Sequence, residues 1–490
     1  MKLTARSGDR GAATGGRRWA ALVFIATAQL MIALDATIVN IALPTAQRSL
    51  HIDAADRQWA ITAYTLAFGG LLLIGGRVAD LAGRRRTFLA ALIGFAAASA
   101  FGGAATGLGT LIAARALQGA FGAVLAPTTL SLLATAFTEA RERAKAFAIY
   151  GAIAGSGGAT GLILGGVLAE HLGWRWCLYV NAPIAVVAAI GAWRTLTPAP
   201  STPAPNRPRL DVPGALLVTG GLVALVYGCG RAATSGWASA TVVGPLAGGV
   251  ILLAAFAVVQ VRSAAPLLPP RILRDRNRVG AYAAVAFAVA GMYGLFIFLT
   301  YYLQIVLRYP PVSAGLAFLP MSAAVLIGSG LVANRLLTRV PTRLLIAPGL
   351  LLAAAAMLLL TRLTPEGGYA AHVLPAEIML GLGMGCVFTP AFHLATQAVQ
   401  PRDAGVASAV VTTSQQVGGS IGTALLNTVA AGATAAYALA HPGGPAQYGL
   451  VHGYATAAAY GAALFTAGAV IAAVLITANP RRSDHAHRPQ

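Results

Sequence analysis

Apolar stretches of about twenty residues, each closed by a short polar connector, recur along nearly the whole chain, and that length lets a helix cross a hydrocarbon core roughly 30 Å thick. The pattern predicts fourteen spans, at roughly 19–43, 58–76, 87–106, 109–134, 145–169, 176–195, 212–230, 240–261, 279–304, 312–337, 343–361, 371–397, 404–428 and 453–478. The basic segment MKLTARSGDRGAATGGRR precedes the first span. That span is too long for the apolar core of a signal peptide and lacks a small-residue cleavage site, so the segment reads as a retained tail.

Two interruptions divide the series: a Pro-rich linker at 196–211, containing TPAPSTPAPNRPR, and a basic loop at 262–278, RSAAPLLPPRILRDRNR. The pair of spans between them, 212–261, reads as an insert. Six spans then remain in 19–195 and six in 279–478, with tails at 1–18 and 479–490. The two sets echo each other. GAVLAP (122–127) is matched by GCVFTP (385–390), and GGRVADLAGRRR (75–86) more weakly by SGLVANRLLTRV (329–340). Such echoes suggest duplicated six-helix halves, an architecture in which secondary transporters place the substrate site near the midplane.

Composition supports a membrane protein and removes the soluble alternatives. Of 490 residues, 57% are hydrophobic and 10% charged, with a mean hydropathy of +0.72, against roughly 25% charged in a soluble domain. A net charge of +20 invites a nucleic-acid partner, but the distribution of Lys and Arg gives another reading. With the N-terminus inside, 27 of them fall on the cytoplasmic side and 6 outside. That asymmetry orients both termini to the cytoplasm and makes nucleic acid unnecessary. Cys177, Cys229 and Cys386 have no paired spacing, so neither a disulfide framework nor a zinc site is expected.

Several ordered motifs give the chemistry. GGRVADLAGRRR places Gly76, Asp80, Gly83, Arg84 and Arg85 in a connector between the second and third spans, where glycines permit close approach and the charges can tie helix ends together. This spacing resembles the loop signature of the major facilitator superfamily. RALQGAFGA (115–123), GATGLILGG (158–166), LDATIVNIALP (34–44), WRWCLYVNAPI (174–184) and YLQIVLRYPPVSAGLAFLP (302–320) are similar to motifs of its fourteen-span drug:proton antiporter branch. The resemblance covers essentially the whole chain. It implies an all-α polytopic fold of two six-helix bundles plus two extra central helices, a conformational gate at Gly76, Asp80, Gly83, Arg84 and Arg85, and helix packing through the antiporter glycines. One departure stands out: where the fifth-span motif usually has proline, this chain has Leu162. The kink is lost, while Gly157, Gly161, Gly165 and Gly166 still permit close packing.

Charges inside spans mark function by default, since they need a partner or a wet cavity. Asp35 lies about nine residues from Pro44 and Arg115 about seven from the outer end of its span, similar depths at 1.5 Å per residue. Both are expected to serve proton coupling. Glu377 is a third candidate, eight residues before Gly385 as Arg115 is seven before Gly122; the competing reading is a wet, incidental carboxylate near the boundary. For a flat lipophilic substrate the candidate cavity residues are Asn40, Gln118, Tyr293, Phe296, Gln304, Phe388 and Gln415, with lipid-facing packing as the alternative for the aromatics.

The expected function is proton-coupled export of hydrophobic drugs or antibiotics, cationic ones included, across the bacterial inner membrane. The alternatives are self-resistance to a natural product, or proton-coupled transport of a metabolite or lipid. No nucleophile with its base, no metal-ligand spacing and no phosphate loop points to an enzyme or a cofactor. The expected partners are substrate, protons and lipid, with a monomer as the working unit.

Overall fold

The structure, a computed structural model, describes residues 6–53, 56–57, 59–137, 139–196, 211–263, 266–332, 336, 339–396 and 404–477. The side chains of Gly76 and Asp80 are among those outside the description. The regular structure described is helical. The N-terminal set comprises α1 (Arg6–Ser49), α2 (Trp59–Ala82), α3 (Arg84–Gly103), α4 (Leu108–Ala136), α5 (Ala140–His171), the short α6 (Trp176–Tyr179) and α7 (Asn181–Thr195). A pair follows, α8 (Val212–Ser235) and α9 (Ala240–Arg262). The C-terminal set comprises α10 (Pro270–Leu273), α11 (Arg276–Tyr301), α12 (Pro311–Ala317), α13 (Leu319–Leu331), α14 (Arg343–Leu360), α15 (Leu374–Thr396), α16 (Ala404–Ala440) and α17 (Ala446–Leu475). Single π-helical turns, Tyr302–Val306 and Tyr369–Val373, extend α11 and precede α15.

Among the described residues, twelve helical segments are long and apolar enough to cross a membrane, so the chain is a multi-pass membrane protein. The two expected spans missing from that set, at roughly 58–76 and 145–169, are occupied by α2 and α5. The apolar run of α2, WAITAYTLAFGGLLLIGG, covers residues 59–76.

Local chemistry sets the helix ends. Gly83 has φ +88°, a conformation that favours glycine, and it turns the chain between α2 and α3. Asp211 caps α8, its Oδ1 accepting from the Gly214 amide at 2.9 Å, while Oδ2 accepts from Gln260 at 2.7 Å and so fastens α9 alongside.

Lipid supplies no hydrophobic drive between helices, so small residues decide which ones approach. The α5 glycines lie on α1: a Cβ at Gly157 would meet Ala33, at Gly161 Thr37 and Leu34, at Gly165 Ile38. Gly418 and Gly422 bring α16 onto α11 at Ala286 and Ala290 in the same manner.

The duplication extends to polar contacts. On α1, where the first apolar span begins, Arg17 donates from Nε and Nη2 to the Thr195 and Arg194 carbonyls that end α7, both at 3.1 Å. At the start of α11, Arg276 donates from the same two nitrogens to Leu475 (3.0 Å) and Val474 (2.6 Å), which end α17. Each arginine thereby satisfies orphan carbonyls at a helix C-terminus.

Tyr301, at the far end of α11, donates to Gln47 near the far end of α1, so both helices begin on one face of the molecule. Described hydrogen bonds join the two sets from the middle of the molecule to the opposite, far face. Gln304 Nε2 donates to Ile41 O (3.1 Å), Val312 N to Glu170 (3.1 Å), Thr413 Oγ1 to Gly69 O (3.4 Å), and Thr65 and Ser420 share a bond of 2.6 Å.

At the far face Arg57, buried at 6% exposure, lays its guanidinium over the Tyr301 ring at 3.9 Å. A desolvated cation–π contact is worth about 2 kcal/mol. Arg57→Ala is therefore expected to loosen the far-face closure. Hydrogen exchange should accelerate in 297–306 and 450–458 and stay unchanged around α3 and α7; unchanged exchange at Tyr301 would show that the contact holds nothing.

Candidate functional site

The site lies inside the N-terminal set, where α1, α3, α4 and α7 converge. Asp35 is fully buried and Arg115 is 1% exposed. Arg115 Nη1 donates to Asp35 Oδ2 at 2.7 Å and to Gln118 Oε1 at 2.9 Å, and Nε donates to the Ala60 carbonyl at 3.0 Å. The guanidinium also lies 4.4 Å from the Tyr64 ring centre.

The other carboxylate oxygen is equally well served. Asp35 Oδ1 accepts from Gln118 Nε2 at 3.1 Å and from Asn181 Nδ2 at 2.7 Å. Ser99 Oγ accepts from both amides, from Asn181 at 2.9 Å and from Gln118 in a shorter bond. Every group that touches the carboxylate is a donor, which is the environment of an ionised acid. Such a pair needs further hydrogen bonds around it in an apolar interior; Gln118 and Asn181 supply them to the carboxylate, while Asn181 Oδ1 is buried without a partner.

Local sequence explains the convergence. Arg115 and Gln118 are three apart on α4 and share a face. Gly119, one residue on, lets α4 settle on α2, since a Cβ there would collide with the Tyr64 carbonyl oxygen. The glycines of α5 hold α1 on both sides of Asp35.

Sequence reasoning singled out Asp35 and Arg115, and the structure brings them together. It missed Asn181 and Ser99, two buried neutral residues. Asn181 stood within the quoted WRWCLYVNAPI motif, but nothing in its spacing linked it to the first span.

The remaining candidates are scattered. Gln118, expected in the substrate cavity, instead commits both ends of its amide to the ion-pair network. Gln304 bridges to α1, and Phe296 is buried against Phe318 with ring centres 5.2 Å apart. Asn40, Tyr293, Phe388 and Gln415 are half-buried. A cavity of about 370 Å³ lies between α1 and α5, lined by Trp19, Leu22, Val23, Ala26, Thr27, Leu30, Ile149 and Ile153, none of them expected to line one. Of the residues expected to form a gate, Arg85 donates to the Trp193 carbonyl at 2.6 Å, tying the start of α3 to the end of α7. Arg84 begins α3 beside Gly83. Gly166 meets Pro311 and Val312 of the C-terminal set. Leu162, in place of the motif's proline, continues α5 unbroken.

Glu377 is 1% exposed, which overturns the wet-boundary reading. Its relation to Arg115 is closer than the sequence echo indicated. Gly381 presses α15 onto the Met321 carbonyl oxygen and Ala324, as Gly119 presses α4 onto the Tyr64 oxygen and Ala67. Arg115 and Glu377 each precede that glycine by four residues, so they occupy equivalent places in the two sets.

Comparison with known proteins bears on all of this. A family model described as Major Facilitator Superfamily matches residues 25–423. A puromycin resistance protein of Streptomyces alboniger is 53% identical over 473 residues, covering 96% of this chain and 93% of its own. A cephamycin export protein of Amycolatopsis lactamdurans is 41% identical over 415 residues, 84% of this chain and 85% of its own. Among solved structures, an auto-inhibited POT family peptide transporter superposes with a TM-score of 0.69 at 15% identity, covering 96% and 99% of the two chains, a likeness of fold alone.

Proposed function

The chain belongs to the major facilitator superfamily, and on that premise we propose that it is a proton-coupled antiporter exporting antibiotics across the bacterial inner membrane, both termini in the cytoplasm. The Asp35–Arg115 pair, buried in the apolar interior of the N-terminal set, carries this reading. A receptor or scaffold has no use for such a pair, whereas an antiporter needs an acid whose proton affinity changes with conformation. Burial favours the neutral acid and a neighbouring arginine the ionised one. Arg115 supplies that counter-charge at 2.7 Å. When the sets rock and the pair parts, the balance shifts toward a proton taken up from outside, and its release inside accompanies outward passage of substrate.

Antibiotics rather than metabolites are the preferred cargo, because resistance and export proteins cover most of this chain at 53% and 41% identity. Puromycin is the first compound to test. Expression in a pump-deficient bacterium is expected to raise the inhibitory concentration of puromycin several-fold, and a protonophore to cancel the increase. Protection that survives the protonophore overturns proton coupling. No protection across a panel of antibiotics and amphiphilic cations favours the metabolite or lipid reading.

A further inference from the structure

Tyr369, in the π-helical turn before α15, has one hydroxyl proton and two oxygen neighbours: the Ala317 carbonyl at 2.7 Å and Glu377 Oε2 at 3.0 Å. A carbonyl accepts only. An ionised carboxylate accepts only. With Glu377 ionised the hydroxyl would face two acceptors with one proton, and one contact would be an unfavourable approach of oxygen lone pairs. With Glu377 protonated every bond is made: Oε2–H donates to the Tyr369 oxygen, and the Tyr369 proton goes to Ala317. No ion pair reaches Glu377 among the described residues, and its Oε1 is buried without a partner. Tyr369 is the titratable group bonded to it.

The equivalence of the two sets sharpens the point. Arg115 donates to the Ala60 carbonyl, four residues before Tyr64; Ala317, which receives the Tyr369 proton, stands four residues before Met321. Asp35 stands eighteen residues after the capping Arg17, and eighteen residues after the capping Arg276 is Gly294. The C-terminal set thus has a buried carboxyl where the N-terminal set has its arginine, and no side chain where the N-terminal set has its aspartate.

We infer that Glu377 is a second proton-binding site of the antiport cycle, carrying its proton as a neutral acid that donates to Tyr369 in this conformation. The inference rests on the antiport reading for its place in the cycle, and on the hydroxyl's single proton for its protonation state. On release the Oε2–H bond breaks and the proton passes to water. The Tyr369 hydroxyl then turns its own proton to the carboxylate, and the Ala317 carbonyl loses its donor. Because Ala317 ends α12, deprotonation frees the α12–α13 joint from the start of α15.

Two measurements on purified full-length protein test this separately. Infrared difference spectra between wild type and Glu377→Gln at neutral pH are expected to show a protonated-carboxyl band missing from the variant, and Tyr369→Phe is expected to shift that band. Identical spectra for all three overturn the inference, whether or not the protein antiports anything. In vesicles, Glu377→Gln is expected to keep puromycin counterflow and to lose accumulation driven by a pH gradient. A purely structural role predicts that both survive, since glutamine fills the same volume and can donate to Tyr369. Retained gradient-driven accumulation removes Glu377 from the cycle even if the band is present.

Discussion

Asp35→Asn is expected to abolish uphill export driven by a proton gradient while sparing counterflow, the exchange of labelled for unlabelled substrate that needs no net proton movement. The introduced amide keeps one acceptor oxygen where Asp35 has two, and three donors point at it, from Arg115, Gln118 and Asn181. Whichever way the amide turns, an N–H group meets a donor. Arg115 is also left buried without a counter-charge, and removing one partner of such a pair costs about 3–5 kcal/mol. Arg115→Met should cost as much, by stranding Asp35. Asp35→Asn with Arg115→Met removes both charges and is expected to melt well above the sum of the single losses, yet to remain unable to use the gradient. Gradient-driven accumulation by Asp35→Asn at the wild-type level, in vesicles loaded with equal amounts of protein, would remove this residue from coupling.

Gly119→Val is expected to be among the most damaging apolar substitutions, preventing assembly or lowering the melting temperature more than any surface change. A Cβ there meets the Tyr64 carbonyl oxygen, a backbone atom that no rotamer change can move aside. Overpacking costs about 1–3 kcal/mol where side chains can adjust and more where they cannot. Gly381→Val should do equal harm through the Met321 oxygen, because the contact is duplicated. Gly109, on the same helix as Gly119, has nothing within 4 Å of its would-be Cβ, and Gly109→Ala is expected to be harmless. Thermal melts in one detergent compare all three; a tolerated Gly119→Val would mean that α2 and α4 separate freely.

Most of the fold was legible in the apolar runs, since a continuous apolar segment of about twenty residues satisfies its own backbone in hydrocarbon as a helix. The chemistry was legible only where a charge stood out from that background. Asp35 and Arg115 did so. Asn181 and Ser99, which complete the site, are neutral and each lies on a different helix, so no spacing links them. The internal repeat illustrates a subtler limit. Aligned on the strings beginning at Gly122 and Gly385, the two sets put Arg115 and Glu377 one residue out of step. Glycine and alanine recur too often for such strings to fix a register, whereas the carbonyl that each glycine touches does fix it. The substrate candidates rest on a weaker signal. An aromatic or amide in a span reads the same whether it faces cargo, lipid or a neighbouring helix: Gln304 reaches α1 of the other set, and Phe296 packs on Phe318 within its own.

The inserted pair is bonded to both helix sets. Thr219 of α8 donates to the Gly70 carbonyl of α2 at 3.0 Å, and Thr428 of α16 donates to the Cys229 carbonyl of α8 at 3.2 Å. Leu66, Val218, Leu222, Val226, Phe256 and Ala424 close over the same line as one apolar cluster. The seam between α2 and α16 is therefore plastered over along one flank, while among the described residues the seam where α5 meets α12 and α13 has no such cover. Any movement of one set against the other must drag α8 across a joint to which it is bonded on both sides.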